Sequence, residues 1–567
     1  MSLQNTRHKI FNTFKNAPKT CVYSLMLFIA AIIILCGNDA TNAYPIISAF
    51  SAFVFFCGLL YFFSGKAIFA LSTSSVFVIV LQFVNQLKIH HYKQSLMFPD
   101  LYVMFDPSNT ETLLHYPLTG LAFVSLLLLM IITVIASWRA IPRRTGYFPQ
   151  IIGLCMMLTS GLVLTRCVIH YQPVWRNTLW AGGTGVVSNL VMSSRAAHYT
   201  APSFSEETSS YFKTRAATLN RSQPNIDSKK PDIVLLLQES TTDPRLYKLP
   251  NPMLLPHLAM FEQDNNVKAH SLMRVHTFGG GTWLSEFTAL NGLPSTDFGA
   301  MKNSVFYSVV DHLNDSLFKQ MKDNGYYTVV LTPFNKSAYN ADHAYKIMGA
   351  DKIIQPQELG YPGKLQKNLW HIHTSDILNY VKQILTSQTD KPLFVYVLTA
   401  YEHGPYDTHH KDNYQLNNYV KNKGSAGKFS HYVEKIKISD AALIDFFQFV
   451  DQRQKPTLFM YFGDHQPGLN WGNGYTTTLP NAAYLTQFSL RDNIDTPTVS
   501  DLGQMTDIAF LGGILLEHAQ LKVSPFYQAN IDMRHLCKGE MKDCADKKLF
   551  ESYRNYIYNE LNAASVP

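Results

Sequence analysis

A helix needs about 20 apolar residues to cross a bilayer core, and five runs of this chain reach that length: residues 21–37, 44–63, 67–88, 118–137 and 149–168. In lipid every backbone polar group must be satisfied internally, so such runs leave little choice but helices. The first run is not read as a signal peptide, because it lacks a clear small-residue cleavage site and four more spans follow. The N-terminal tail carries Arg7, Lys9, Lys15 and Lys19, and the loop after the fourth run carries Arg139, Arg143 and Arg144. With an odd number of spans both segments fall on one side, which the bias of Lys and Arg makes cytoplasmic. Everything after about residue 170 is then expected outside the cytoplasm. The loop over 89–117 falls on that outer side too, either as an interfacial segment rich in aromatics and histidines or as an ordinary connection.

The expected organisation is a five-span transmembrane domain over 1–170, a connector over 171–230, and a soluble domain over 231–567 that begins near Pro231. The net charge of +7 over 567 residues suits a protein beside an anionic membrane and is too diffuse to point to nucleic acid. Five of the seven cysteines lie in or beside the apolar runs, where a thiol behaves as a small hydrophobe. Cys537 and Cys544 bracket a short polar loop, and export of this domain would favour a disulfide between them.

The soluble part repeats one pattern. "PDIVLLLQEST" is an apolar run that ends abruptly at Glu239. "KPLFVYVLTAYEHGPY" ends in Glu402-His403, and "KPTLFMYFGDHQP" in Asp464-His465; "GYYTVVLTPF" is a fourth such run. Helix-like stretches lie between them, as in "SVVDHLNDSLFKQMKDNG" and "SDAALIDFFQFVDQR". Continuous apolar strands alternating with helices predict an α/β domain with a mostly parallel sheet, whose ligands bind beyond the carboxyl ends of the strands. Carboxylates and imidazoles at that edge are a ligand set for a divalent metal.

"HTFGGGTWLSEF", His276 to Phe287, places three glycines before Thr282 and a helix start. It is not a Walker A loop, because no Gly-Lys-Ser/Thr follows. Two readings stay open on these residues. Thr282 is an N-cap after a glycine turn, or it is a hydroxyl held in the positive field of a helix N-terminus, where an incoming phosphate is also favoured.

Five spans followed by "LLLQEST", "GGGTWLSEF", "YEHGPY" and "YFGDHQP" resemble the sulfatase-like phosphotransferases of the alkaline phosphatase superfamily. That group includes lipoteichoic acid synthases and lipid A phosphoethanolamine transferases. The resemblance extends over nearly the whole chain, and the T-x-x-S-E-F pattern at Thr282 is closest to the lipoteichoic acid synthase branch. It implies that Glu239, Thr282, Asp464 and His465 hold a divalent metal, Zn²⁺ or Mn²⁺. Thr282 would be the nucleophile, and His403 would contact the phosphoryl oxygens or act as general acid toward the leaving group.

One segment departs from the family. Where the synthases carry a Trp and an Arg that grip glycerol phosphate, "SAYNADHAYK" has Tyr339 and Ala341. Arg is the bidentate phosphate clamp, so its loss alters recognition. His371 and His373 are candidates for replacement substrate contacts. The many intradomain disulfides of typical phosphoethanolamine transferases are also missing.

The expected activity is transfer of a phosphorylated head group, phosphoethanolamine or phosphoglycerol, through a phosphothreonine intermediate. The donor would be a membrane phospholipid and the acceptor an envelope glycan or glycolipid. The expected location is the bacterial inner membrane, with the catalytic domain on the periplasmic or extracytoplasmic side. The rival readings are a phosphodiesterase that uses water as acceptor and a catalytically inactive membrane-bound sensor or scaffold. A sulfatase would need a Cys or Ser for conversion to formylglycine, and Thr282 cannot supply that aldehyde.

Overall fold

The computed structural model describes residues 2–37, 43–92, 95–104, 106, 117–140, 146–169, 185–199, 202, 208–221, 229–363, 371–387, 390–420, 423–469, 471–494 and 496–565. They form two compact units, residues 1–105 with 109–198, and residues 106–108 with 199–567. Of the connector expected over 171–230, the short helix Val186–Met192 lies in the first unit and Ser210–Ala216 in the second; much of the rest lies outside the described residues.

In the first unit, five helices are long and apolar enough to cross a membrane: Lys19–Cys36, Tyr44–Ser64, Ala67–His90, Pro117–Ala140 and Phe148–Ile169. Each expected span falls on one of them. The second and fifth pack where two glycines meet, since a Cβ added at Gly153 would lie 2.8 Å from the Gly58 carbonyl oxygen and from Phe62. Without a hydrophobic force between helices in lipid, such close backbone approach supplies the packing energy. Most of the expected loop over 89–117 lies outside the described residues, but its start folds back on the bundle. The backbone N–H of Leu96 donates to Asn85 Oδ1 at 2.7 Å, and that of Phe98 to Ser193 Oγ at 2.8 Å.

The second unit is built on one eight-stranded sheet. Its strands are β1 Asp232–Gln238, β2 Val267–Arg274, β3 Tyr327–Leu331, β4 Lys352–Ile354, β5 Leu393–Leu398, β6 Thr457–Gly463, β7 Leu485–Asp492 and β8 Met505–Asp507. Their order is β4-β3-β5-β1-β6-β7-β2-β8. All neighbours are parallel except at β7, which runs antiparallel to β6 and β2. The four expected strands are β1, β3, β5 and β6, and the mostly parallel α/β architecture is the one present. β1, β5 and β6 are buried along their whole length, as their unbroken apolar runs require for a sheet covered on both faces.

Of the expected helices, "SDAALIDFFQFVDQR" forms the end of a long helix, Lys423–Asp451. "SVVDHLNDSLFKQMKDNG" instead splits into the 3-10 turn Val310–His312 and the helix Leu317–Asp323, with Ser316 capping the latter through a bond from Lys319 N–H. Cys537 and Cys544 are joined in a disulfide.

Candidate active site

β1 lies at the centre of the sheet, between β5 and β6, in register Leu237↔Leu398 and Gln238↔Gly463. The residues just beyond these carboxyl ends therefore converge: Glu239 after β1, Asp464 and His465 after β6, and the loop to His403 after β5. The approach at β6 demands a glycine. A Cβ on Gly463 would stand 1.8 Å from the Thr241 carbonyl oxygen, which no side-chain adjustment can relieve. Ser240 turns the chain away after Glu239 with φ 50, a left-handed backbone that a non-glycine residue adopts at some energetic cost.

Glu239, Asp464 and His465 bring one ligand atom each to within 4.8 Å of one another, all buried. His465 Nε2 lies 3.3 Å from Glu239 Oε1 and 3.3 Å from Asp464 Oδ2. Its Nδ1 faces the Gln466 carbonyl at 3.0 Å, so Nδ1 carries the proton and Nε2 turns to the carboxylates. Asp464 Oδ1 accepts the backbone N–H groups of Ser240, at 2.7 Å, and His465, at 2.8 Å. Asp464 Oδ2 and His465 Nε2 are buried without a hydrogen-bond partner. Two such orphaned atoms aimed into one space are what a cation site leaves when protein groups alone are considered.

The electrostatics agree. Burial, together with the Glu239 charge, pushes the Asp464 carboxyl up to about 8. Burial alone would raise Glu239 as well, but the adjacent His465 ring, the His403 and His465 charges and the Thr282 hydroxyl bring it down to about 2. Burial would lower His465, yet Asp464 and Glu239 lift it to about 9. The cluster thus draws positive charge into a buried space, as a proton or as a metal ion.

Thr282 joins this cluster: its hydroxyl donates to Glu239 Oε2 at 2.9 Å. The preceding turn explains the three glycines. Gly279, Gly280 and Gly281 have φ of 68, 153 and 83, all in the region that side chains disfavour. Gly281 is the N-cap of the helix Thr282–Asn291, and Thr282 is its first residue. The N-cap reading of Thr282 is therefore replaced: its hydroxyl points to Glu239 rather than back to the helix. The helix is anchored from below by Ser285, whose Oγ donates to the Asp464 carbonyl at 2.6 Å. Glu286 lies fully in the interior and accepts from the hydroxyls of Tyr345 and Tyr396.

The other expected residues fall around this centre with different neighbours. His403, in the loop after β5, is held below the ordinary imidazole range by burial; the Glu239 charge opposes that shift, and the His465 and Lys435 charges add to it. Tyr339, at φ 54, stacks on Trp283 with ring centres 4.8 Å apart, so it adjoins the residue after Thr282. Ala341 opens the helix Ala341–Met348. His373 is exposed and stacks on Tyr401 at 4.4 Å, and His371 is exposed, with no contact among the described residues that ties it to the cluster. Glu402, next to His403 in the motif, does not reach the cluster. Its two oxygens accept from Thr374 at 2.6 Å and Thr399 at 2.7 Å. Sequence reasoning missed Thr399, which also receives the Glu239 backbone N–H at 3.1 Å, and Trp283, whose indole N–H donates to the Asn303 carbonyl at 2.8 Å. Nothing in their local sequence marks these partners, which are set by packing between distant segments.

The sulfatase family profile matches residues 231–515, half of the chain and all of the cluster. An uncharacterized protein of Haemophilus influenzae is 34% identical over 559 residues, 96% of this chain and 99% of its own length. The lipoteichoic acid synthase-like protein YvgJ of Bacillus subtilis is 24% identical over 189 residues, 33% of this chain and 29% of its own. Among solved structures, the integral membrane lipooligosaccharide phosphoethanolamine transferase A of Neisseria meningitidis covers 86% of this chain and 97% of its own at 12% identity, with a TM-score of 0.45. The match over residues 231–515, half of the chain, means that the protein belongs to the sulfatase family.

Proposed function

We propose that the protein is a metal-dependent phosphotransferase of the membrane surface. It moves phosphoethanolamine or phosphoglycerol from a phospholipid to an envelope glycan or glycolipid, through a covalent phosphothreonine at Thr282. The observation that carries this reading is the hydroxyl of Thr282 bonded to Glu239 at the rim of a buried cluster with two orphaned ligand atoms.

Glu239, Asp464, His465 and Thr282 would hold a divalent cation, Zn²⁺ or Mn²⁺, which supplies Lewis-acid charge that eases deprotonation of a hydroxyl and offsets charge on phosphoryl oxygens. The Thr282 oxygen, its proton released to solvent, attacks the donor phosphorus, and the bond between phosphorus and the diacylglycerol oxygen breaks. His403 gives that oxygen a proton. In the second step an acceptor hydroxyl attacks the phosphothreonine, its proton passes to His403, and the Thr282 oxygen leaves. Burial favours the neutral imidazole that the second step needs, and the charge of a bound phosphodiester favours the protonated ring of the first. The position of Thr282 at the start of a helix adds a positive partial charge where the phosphate arrives.

Covalent attachment to a membrane-spanning unit confines the site to the membrane that holds the donor and so raises the effective donor concentration. The Lys and Arg distribution supports a catalytic unit on the periplasmic side of the inner membrane. Ala341 in place of a clamping Arg favours phosphoethanolamine over phosphoglycerol, with Tyr339, His371 and His373 as candidate head-group contacts.

The test is diacylglycerol release by the purified full-length protein from phosphatidylethanolamine or phosphatidylglycerol micelles, with Zn²⁺ or Mn²⁺ added. Release from one lipid that Thr282→Ala loses, by at least a factor of about 10³, and Thr282→Ser partly keeps is the expected outcome. Release that survives Thr282→Ala contradicts a threonine nucleophile.

A further inference from the structure

The helix Lys423–Asp451 sends one cation toward the loop that carries His403. Lys435 is 8% exposed, and its Nζ donates to the carbonyl oxygens of Tyr401 and His403, each at 2.9 Å. The ammonium also sits 5.1 Å from the ring centre of Tyr401 and 6.0 Å from that of Tyr406. It is held by carbonyls and aromatic rings rather than by a carboxylate, since both oxygens of the neighbouring Glu402 accept from threonine hydroxyls. Burial brings this ammonium down to about 8, against the pull of Glu402. A cation kept in such a place, at a cost in desolvation, is explained by what it holds.

Every carbonyl from Ala400 to Gly404 is engaged. Ala400 accepts from the His403 N–H at 3.2 Å, Glu402 from the Tyr406 hydroxyl at 2.8 Å, and Gly404 faces His403 Nδ1 at 2.5 Å. Lys435 supplies the remaining two, one on either side of Glu402. The contact of Gly404 with Nδ1 assigns proton transfer to Nε2 of His403. From these contacts we infer that Lys435 is a positioning residue for the proposed phosphoryl transfer, a clamp that fixes the backbone of His403 and imposes its positive field on the imidazole. This rests on the reading above that His403 moves the proton at the leaving or attacking oxygen.

His373 gains a place in the same assembly. Its ring stacks on Tyr401, which Lys435 holds from the backbone and at the ring, so His373 buttresses the loop from its exposed side. The charged groups that act on His403 are Glu239, which favours its protonated form, and His465 and Lys435, which oppose it. Lys435 in turn feels Glu402, and it lowers His431.

The test uses full-length protein loaded with Zn²⁺, labelled with ¹⁵N-histidine and assigned with His403→Gln. Lys435→Met keeps the length of the side chain but removes donors and charge, and Lys435→Arg restores both. Lys435→Gln takes the place of Lys435→Met if that variant does not fold. In Lys435→Met the His403 titration is expected to move to higher pH, and kcat for diacylglycerol release to fall by about 10- to 100-fold with KM little changed. Lys435→Arg is expected to recover most of both. A lysine that only stabilises the fold would lower the melting temperature and leave the His403 titration where it is in the wild type; that result overturns the inference. A wild-type protein that releases diacylglycerol from no lipid contradicts the proposed function, and the His403 titration still decides the role of Lys435.

Discussion

Glu239, Asp464 and His465 owe their meeting to the parallel register of β1 and β6, and each can be tested singly. Under the proposed metal-dependent function, removing any one of them should cost more than the roughly 10- to 100-fold in metal affinity that loss of an outer partner costs. His465→Ala and Asp464→Asn are therefore expected to lose bound metal on dialysis, read by elemental analysis, while Glu402→Gln retains it. Metal retained by His465→Ala would remove that residue from the ligand set. Glu402 also shows the limit of sequence reading. It follows a buried strand just as Glu239 does, and nothing in "YEHGPY" distinguishes a ligand from a carboxylate already satisfied by Thr374 and Thr399. His373 is a similar case, since its stacking partner Tyr401 lies far from it in the chain. The cluster itself was legible because its carboxylates and imidazole cut off buried apolar strands at the sheet edge where ligands of parallel α/β domains bind.

The helix Thr282–Asn291 carries the hydroxyl at its first residue and a buried acid one turn later. Its start and its glycine turn were readable, because only glycine suits three successive positive φ values. The interior partners of Glu286 were not, since Tyr345 and Tyr396 arrive from a separate helix and strand. Burial raises the Glu286 carboxyl from 4.5 to about 7, against the two tyrosine hydroxyls. The folded protein therefore holds a proton there over a window in which the unfolded chain has released it. Stability falls as pH rises through that window, by about 3 kcal/mol if the whole shift counts. Glu286→Gln, which still accepts from both tyrosines, is expected to flatten the decline in thermal stability between about pH 5 and pH 7. An unchanged pH profile would mean that this carboxyl is ionised throughout. The antiparallel β7 was not foreseen at all, since "LTQFSLRD" lacks the unbroken apolar run that marked β1, β3, β5 and β6.

For the chain as a whole, the five spans and the α/β sheet were both visible in the sequence, because each rests on long apolar runs with different punctuation. The division of the connector between the two units was not, since helices of seven residues take their place from tertiary contacts rather than from pattern. A Cys537–Cys544 disulfide is what the proposed extracytoplasmic placement of the second unit requires. Protein extracted from cells with free thiols blocked should carry this pair oxidised, detected as alkylation that requires prior reduction. Alkylation of both cysteines without reductant would contradict an extracytoplasmic catalytic unit. The decisive question is whether the head group passes through the protein. Full-length enzyme would be mixed with the lipid that supports diacylglycerol release, quenched in acid before an acceptor is added, digested and weighed by mass spectrometry. A peptide containing Thr282 that gains the mass of the phosphorylated head group, and loses it on addition of acceptor, is the predicted result; diacylglycerol released in step with free head group, while that peptide stays unmodified at every quench time, would contradict the covalent mechanism.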